Sequence, residues 1–127
     1  MIDALFSQTN YVGAKKMLDG TVLRQQAIGQ NLANLETPHY QRVDLSPSFQ
    51  TDLQHAMGDR SLSEIKAVQP KIMADANAIS SSRDGNTVRL ENELIQMNQN
   101  TLQHTLETQL VTGALLKLRL AITGRAS

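Results

Sequence analysis

The chain has 127 residues and balances 12 Lys+Arg against 12 Asp+Glu, with no cysteine. That length suits a single domain, and the charge balance argues against non-specific binding of phosphate backbones, so no nucleic-acid partner is expected. Without cysteine, disulfide scaffolds, thiolate zinc sites and cysteine nucleophiles are excluded, and a low charged fraction made up by Gln, Asn, Ser and Thr describes a helical assembly element before an enzyme.

In chain order, the first element is a helix assigned to residues 1–35. From about Tyr11 to Leu35, the residues Leu18, Val22, Ile28, Leu32 and Leu35 recur near one face. Gly13, Gly20 and Gly29 each cost about 1 kcal/mol against Ala in a helix interior, so this helix needs a partner. Pro38 stops it, because Thr37 before the proline is pushed out of the α region.

Residues 36–85 form an irregular middle segment. Ser46-Pro47 has the form of a helix start, Phe49, Leu53 and Met57 follow at i, i+4 and i+8, and Gly58 offers a stop, which predicts one short amphipathic helix. Ile65–Met73, interrupted by Pro70, reads as a small extended segment confined to a sheet edge. Ala74–Asn86 is small and polar and reads as a loop.

Residues 86–124 form the second long helix, capped by Asn86 or Thr87, with Glu91 and Glu93 at its positive end and Gly124 as its stop. About 36 helical residues span roughly 54 Å, more than a small globule covers. Two apolar rows run along it. Leu90, Leu94, Met97, Val111, Leu115, Leu118 and Ile122 make one seam, interrupted by Thr101, His104 and Thr108. Ile95, Leu102, Leu106, Leu110, Leu116 and Leu120 make another beside it. One seam needs one partner helix; two need more than one neighbour. Between Gln96 and Gln109 the only charged side chain is Glu107, which favours enclosure over a solvated face.

The fold class expected is therefore all-α in the main, residues 1–127 forming one domain. Its long N- and C-terminal helices pack as an antiparallel coiled coil beside the irregular middle segment. The residues expected to pack are Leu18, Val22, Ile28 and Leu32 against Leu94, Leu102, Leu106, Val111 and Leu115.

Catalytic chemistry finds no candidates. His39, His55 and His104 have no paired spacing, and no nucleophile–base set can be named around them. Phosphate-loop glycine patterns are absent, and Arg83-Asp84-Gly85-Asn86 lacks the acidic spacing of a calcium loop. No catalytic residue, metal ligand, cofactor or small-molecule substrate is expected. There is no apolar run of membrane-spanning length, and the first residues lack the pattern of a cleaved secretory signal.

The most distinctive string is Asn31-Leu32-Ala33-Asn34-Leu35-Glu36-Thr37-Pro38-His39-Tyr40. It resembles the signature of the bacterial flagellar rod and hook protein family, in which the N-terminal helix ends in a pattern like N-[IL]-A-N-x-x-T-P-G-Y. The matching residues are Asn31, Leu32, Ala33, Asn34, Thr37, Pro38 and Tyr40; where the family has Gly this chain has His39, and histidine enters positive φ less readily than glycine. Asp84-Gly85-Asn86-Thr87-Val88, then Glu91, Met97, Asn100 and Leu102, and finally Leu118-Arg119 and Ala121-Ile122, are similar to the C-terminal helix of the family's short proximal-rod members. The resemblance implies a structural, non-enzymatic subunit of the basal-body rod. Such subunits are exported without a cleaved signal and assemble through their terminal helices into the tubular drive shaft that crosses the periplasm around the export channel. The partners implied are copies of itself, the rod proteins FlgC, FlgF and FlgG, the adaptor FliE, the MS ring and the export gate. The competing reading is a cytosolic helical adaptor or export chaperone.

Overall fold

A computed structural model describes residues 2–80 and 82–124, with side chains from Ser7 onward. The elements in order are α1 (Ile2–Ala33), β1 (Val43–Leu45), α2 (Pro47–Gly58), α3 (Leu62–Ala67), β2 (Ile72–Ala74) and α4 (Leu90–Thr123). Two long helices lie side by side, and the middle segment packs against α1. Residues facing each other across the long pair fall in opposite order along the two helices: Asn31 meets Glu93, Gln25 meets Asn100 and Thr21 meets His104.

The middle segment is more regular than its sequence suggests. α2 begins at Pro47 as expected, although the Ser46 hydroxyl bonds to Ser48 Oγ (2.9 Å) rather than capping the helix. Gly58 is not the turning residue. The chain reverses at Arg60, which takes φ 53°, and Ser61 then caps α3 by accepting from the Glu64 N–H (3.3 Å). Ile65, expected in an extended segment, is instead fully buried on α3. The extended part is shorter: β2 pairs antiparallel with β1 in the register Val43↔Ala74, Asp44↔Met73 and Leu45↔Ile72. The loop after β2 runs to the start of α4; Ser81 within it lies outside the described residues.

The apolar core sits between this middle unit and α1, not between the two long helices. Phe49, Leu53, Ala56 and Ile65 are buried together, with Val12, Met17, Leu45, Met57 and Val68 packed around them. Here two of the α1 glycines find their purpose. A Cβ on Gly20 would stand 2.6 Å from Phe49 Cε2, and one on Gly13 would collide with Met57 Sδ. The helix gives up propensity at both positions so that α2 approaches its backbone. Gly29 has nothing within 4 Å and no such role in the protomer.

α4 starts at Leu90 with Arg89 in the cap position, three residues after Asn86 and two after Thr87, the caps expected, whose side chains bond elsewhere. It ends as expected at Gly124, in the left-handed conformation (φ 68°), its N–H donating to Leu120 O (2.9 Å). The residues it buries are Glu93, Asn100 and Glu107, seven apart on one line facing α1. The packing expected between apolar rows is therefore corrected. Ile28 is buried and Leu18, Leu32, Val111 and Leu115 are half-buried, but Val22, Leu94, Leu102 and Leu106 are exposed. For Leu102 and Leu106 the physical reason is phase: at 3.6 residues per turn, the second row points away from the line through Glu93, Asn100 and Glu107.

Replacing each glycine with Ala should separate these roles in urea or thermal unfolding of the purified chain. Gly20→Ala drives a methyl into the buried Phe49 ring and should cost about 1–3 kcal/mol. Gly13→Ala should cost less, because the half-buried Met57 side chain can swing aside. Gly29→Ala should stabilise by up to about 1 kcal/mol.

Candidate functional site

The distinctive string ends in a turn that the structure explains atom by atom. α1 stops at Ala33, where Asn34 Nδ2 donates back to Gln30 O (2.8 Å) and the Thr37 hydroxyl donates to Asn34 Oδ1 (3.1 Å). His39 then takes φ 60°, so the side chain that stands in the family's glycine position does enter the left-handed region. Its N–H donates to Asp84 O (2.8 Å), and the neighbouring Gly85 (φ 77°) leaves room for the ring, since a Cβ there would sit 2.7 Å from His39 Nδ1. Residues 39–42 then run beside 84–87, with the Thr87 N–H donating to Tyr40 O (3.0 Å) and the Arg42 N–H donating to Thr87 Oγ1 (2.8 Å).

Under this turn lies a buried polar clasp. Asn31, fully buried on α1, uses its whole amide. Nδ2 donates to Val43 O (2.8 Å) and Glu93 Oε2 (3.2 Å), while Oδ1 accepts from the Val43 N–H (2.8 Å) and the Tyr40 hydroxyl (3.3 Å). One side chain thus pairs with Val43 as a neighbouring strand would. Arg42 fills the rest. Nε donates to Glu93 Oε1 (2.8 Å), and Nη1 donates to Asp75 Oδ2 (2.6 Å) with Asp44 Oδ2 at 3.3 Å. Burial by itself would lower the guanidinium pKa; the bonds to Glu93 and Asp75 and the charges of Glu93 and Asp44 outweigh it, holding the group firmly protonated. The Tyr40 hydroxyl is pushed up, first by burial and then by the charge of Glu93. Asp75 is held below the usual carboxylate range: burial opposes this, but the Asn77 N–H and Arg42 prevail.

Asn86 closes the clasp from the other side. Its Nδ2 donates to the carbonyls of Asn34 (2.9 Å), Leu35 (3.1 Å) and Thr37 (2.8 Å), satisfying oxygens freed at the end of α1. One cluster therefore ties the end of α1, the β1–β2 unit, the loop and the start of α4. A buried ionic network adds little over an apolar substitute of the same shape, but a slipped register would orphan several buried groups at once. Its work is to set register.

Of the expected motif residues, the structure brings Asn31 and Tyr40 into the clasp. Asn34 and Thr37 bond to each other above it, while Leu32 is half-buried and Ala33 and Pro38 are exposed. The expected packing leucines of α4 are not part of it. Sequence reasoning missed Arg42 and Asp75 altogether and took Glu93 for a helix-start charge; the seven-residue spacing of Glu93, Asn100 and Glu107 was the available signal. The three histidines stay apart from it. His55 and Asp59 form an exposed i,i+4 pair (3.3 Å). Among the described residues, His55, Asp59 and Glu64 alone bring ligand atoms within 4.8 Å of one another, all on the surface, where such groups are common without a metal. His104 Nδ1 lies 3.4 Å from Thr21 Oγ1, but that hydroxyl donates to Leu18 O (2.9 Å) as an ordinary helix back-bond. What this arrangement does is fix geometry.

Two asparagines one turn apart should respond differently in denaturant titrations. Asn31→Ala orphans Val43, Tyr40 and Glu93 in a buried place and should cost on the order of 3 kcal/mol. Asn34→Ala removes exposed local bonds and should cost about 1 kcal/mol or less. The pH profile follows from the same groups. The lowered carboxylate of Asp75 contributes stability above its unfolded pKa, about 3.9, which is lost as pH falls through the folded value. The raised Tyr40 contributes stability below its unfolded pKa, about 10, which is lost as pH climbs toward the folded value. Unfolding free energy should form a plateau between these limits, and Asp75→Asn should flatten the acid limb.

No family model matches the chain. Among curated proteins it is similar to the flagellar basal body rod protein FlgB of Cereibacter sphaeroides, 30% identical over 109 residues that cover 80% of this chain and 84% of that one. It is also similar to FlgB of Aquifex aeolicus, at 27% over 117 residues (88% and 91%), and to FlgB of Borrelia hermsii, at 29% over 115 residues (76% and 83%). Two long helices joined by a register-setting clasp, a string that ends the first helix as in rod and hook proteins, and this likeness over most of both lengths agree: the chain belongs to the FlgB family of flagellar basal body rod proteins.

Proposed function

We propose that the chain is a structural subunit of the proximal rod, at the cell-facing end of the flagellar drive shaft, and that its role is mechanical rather than catalytic. In this reading residues 1–127 act as one rod-core domain. α1 and α4 form an antiparallel coiled coil that packs laterally into a tube around the export channel and carries torque across the periplasm. Its neighbours are copies of itself, FlgC, FlgF, FlgG and FliE, with the MS ring and export gate at the base, and it reaches them without a cleaved signal peptide.

The observation that carries the reading is the outer surface of α4. Ile95, Leu102, Leu106, Leu110 and Leu116 are each more than half exposed, far more apolar surface than an isolated helix pair needs to show water. The threonines that flank this row do not solicit water strongly. Thr101, Thr105, Thr108 and Thr112 each turn the hydroxyl back to the carbonyl four residues earlier, at 2.8–3.0 Å, which satisfies the hydroxyl within the helix. A neighbour covering such a face meets little desolvation cost. This supports burial by other subunits over a free-standing adaptor.

Leu106→Asp tests it. Because Leu106 is exposed in the protomer, circular dichroism and the melting curve of the purified variant, followed at concentrations low enough to keep the chain monomeric, should change by no more than about 0.5 kcal/mol. In a strain lacking the wild-type copy, the variant should still be exported but should block rod assembly and swimming. Normal motility would overturn the reading.

A further inference from the structure

The outward row of α4 has an internal symmetry that its description as an apolar stripe does not capture. At about 100° per residue, Ile95, Leu102, Leu106 and Gly113 fall within about 40° of arc, roughly 140° round the helix from the buried line of Glu93, Asn100 and Glu107. Their positions are mirrored about the level of His104. Leu102 lies as far before that level as Leu106 lies after it, Ile95 as far before as Gly113 after, Gln99 as far before as Gln109 after, and Glu91 as far before as Lys117 after. The spacing along the row alternates four and three residues from Ile95 to Gly113, the seam of a coiled coil in which antiparallel partners set an a position beside a d position.

We infer that two copies of this chain associate face to face through α4, antiparallel, about a two-fold axis at His104. Turned end for end, the second helix presents the matching set. Leu102 meets Leu106 twice at the centre. The large, exposed Ile95 meets Gly113, which has nothing within 4 Å in the protomer, so one copy's side chain fills the space left by the other's missing Cβ. Gln99 faces Gln109, an amide pair that can donate and accept in both directions. Glu91 comes level with Lys117, so an acidic residue at the start of one helix lies against a basic residue near the end of the other. The parallel arrangement loses each of these. It sets glycine against glycine, Glu91 against Glu91 and Lys117 against Lys117, and it aligns the helix dipoles unfavourably. The contact runs over roughly 39 Å of helix.

An isologous pair of this kind closes on itself, whereas a growing shaft needs heterologous contacts between subunits pointing the same way. If the rod reading holds, the dimer covers the leucines of the assembly face and keeps the unincorporated chain from polymerising. The dimer itself does not depend on that reading.

The test uses the full-length chain, which has no native cysteine. Sedimentation equilibrium should show a concentration-dependent monomer–dimer equilibrium. Mixing Ile95→Cys chains with Gly113→Cys chains under mild oxidation should give the mixed disulfide in excess of either self-linked product. Gly113→Glu should weaken dimerisation by roughly tenfold or more while helicity by circular dichroism stays level or rises, since the position is open in the protomer. Glu91→Lys should weaken it as well, and Glu91→Lys combined with Lys117→Glu should restore it. A monomer at all concentrations up to about 100 μM, well above a micromolar affinity, overturns the inference. So does self-linking of Ile95→Cys chains as the main product, which marks a parallel pair. Either failure leaves the in vivo result for Leu106→Asp to decide the rod reading separately.

Discussion

The structure depends on a buried charge that has to be matched. The Arg42 guanidinium is almost entirely withdrawn from water, and Glu93, equally hidden, is its counter-charge across the root of the two long helices. Neither residue can be left alone in that environment, so β1 must lie where Arg42 reaches Glu93, and α4 must start where Glu93 points inward. Asn31 adds the third fixed point by engaging both the strand at Val43 and the carboxylate of Glu93. Three segments far apart in sequence thereby share one register, without a large apolar core between the long helices.

That choice decides what α4 shows to its surroundings. Since the line facing α1 is occupied by Glu93, Asn100 and Glu107, the leucines have to lie elsewhere on the helix, and most of them lie outside. A chain stabilising itself alone would place leucine inward and charge outward. Here polar groups hold the protomer together through directional bonds, while the apolar surface stays available for association. The apolar contacts the protomer does keep are concentrated where α2 and α3 meet α1, at the glycines that let Phe49 and Met57 approach. Membership of the FlgB family gives this division of labour a natural setting, because a basal body rod is an assembly of associated components.

Read by itself, the sequence determined the parts governed by local rules. Both long helices, the start of α2 at Pro47, the loop after β2 and the left-handed stop at Gly124 follow from periodicity, proline geometry and glycine freedom, which neighbouring residues settle among themselves. α3 was not read from the sequence, where the apolar Ile65–Met73 stretch suggested a strand, although Ser61 and Glu64 carry the capping spacing that the structure uses. The family string was legible as a string. What tertiary structure alone decided was which face of each helix turns inward. Apolar rows at Leu94, Leu102 and Leu106 and a polar row at Glu93, Asn100 and Glu107 are both periodic, and periodicity does not say which row finds a partner. Arg42 and Asp75 stand 33 positions apart and meet only because β1 pairs with β2. Asn86 looked like the cap of its own helix and instead caps the end of α1, 52 positions earlier. Long-range hydrogen bonds between polar groups leave little trace in local sequence, because any of several Asn, Asp or Glu residues could serve and only the path of the backbone selects among them.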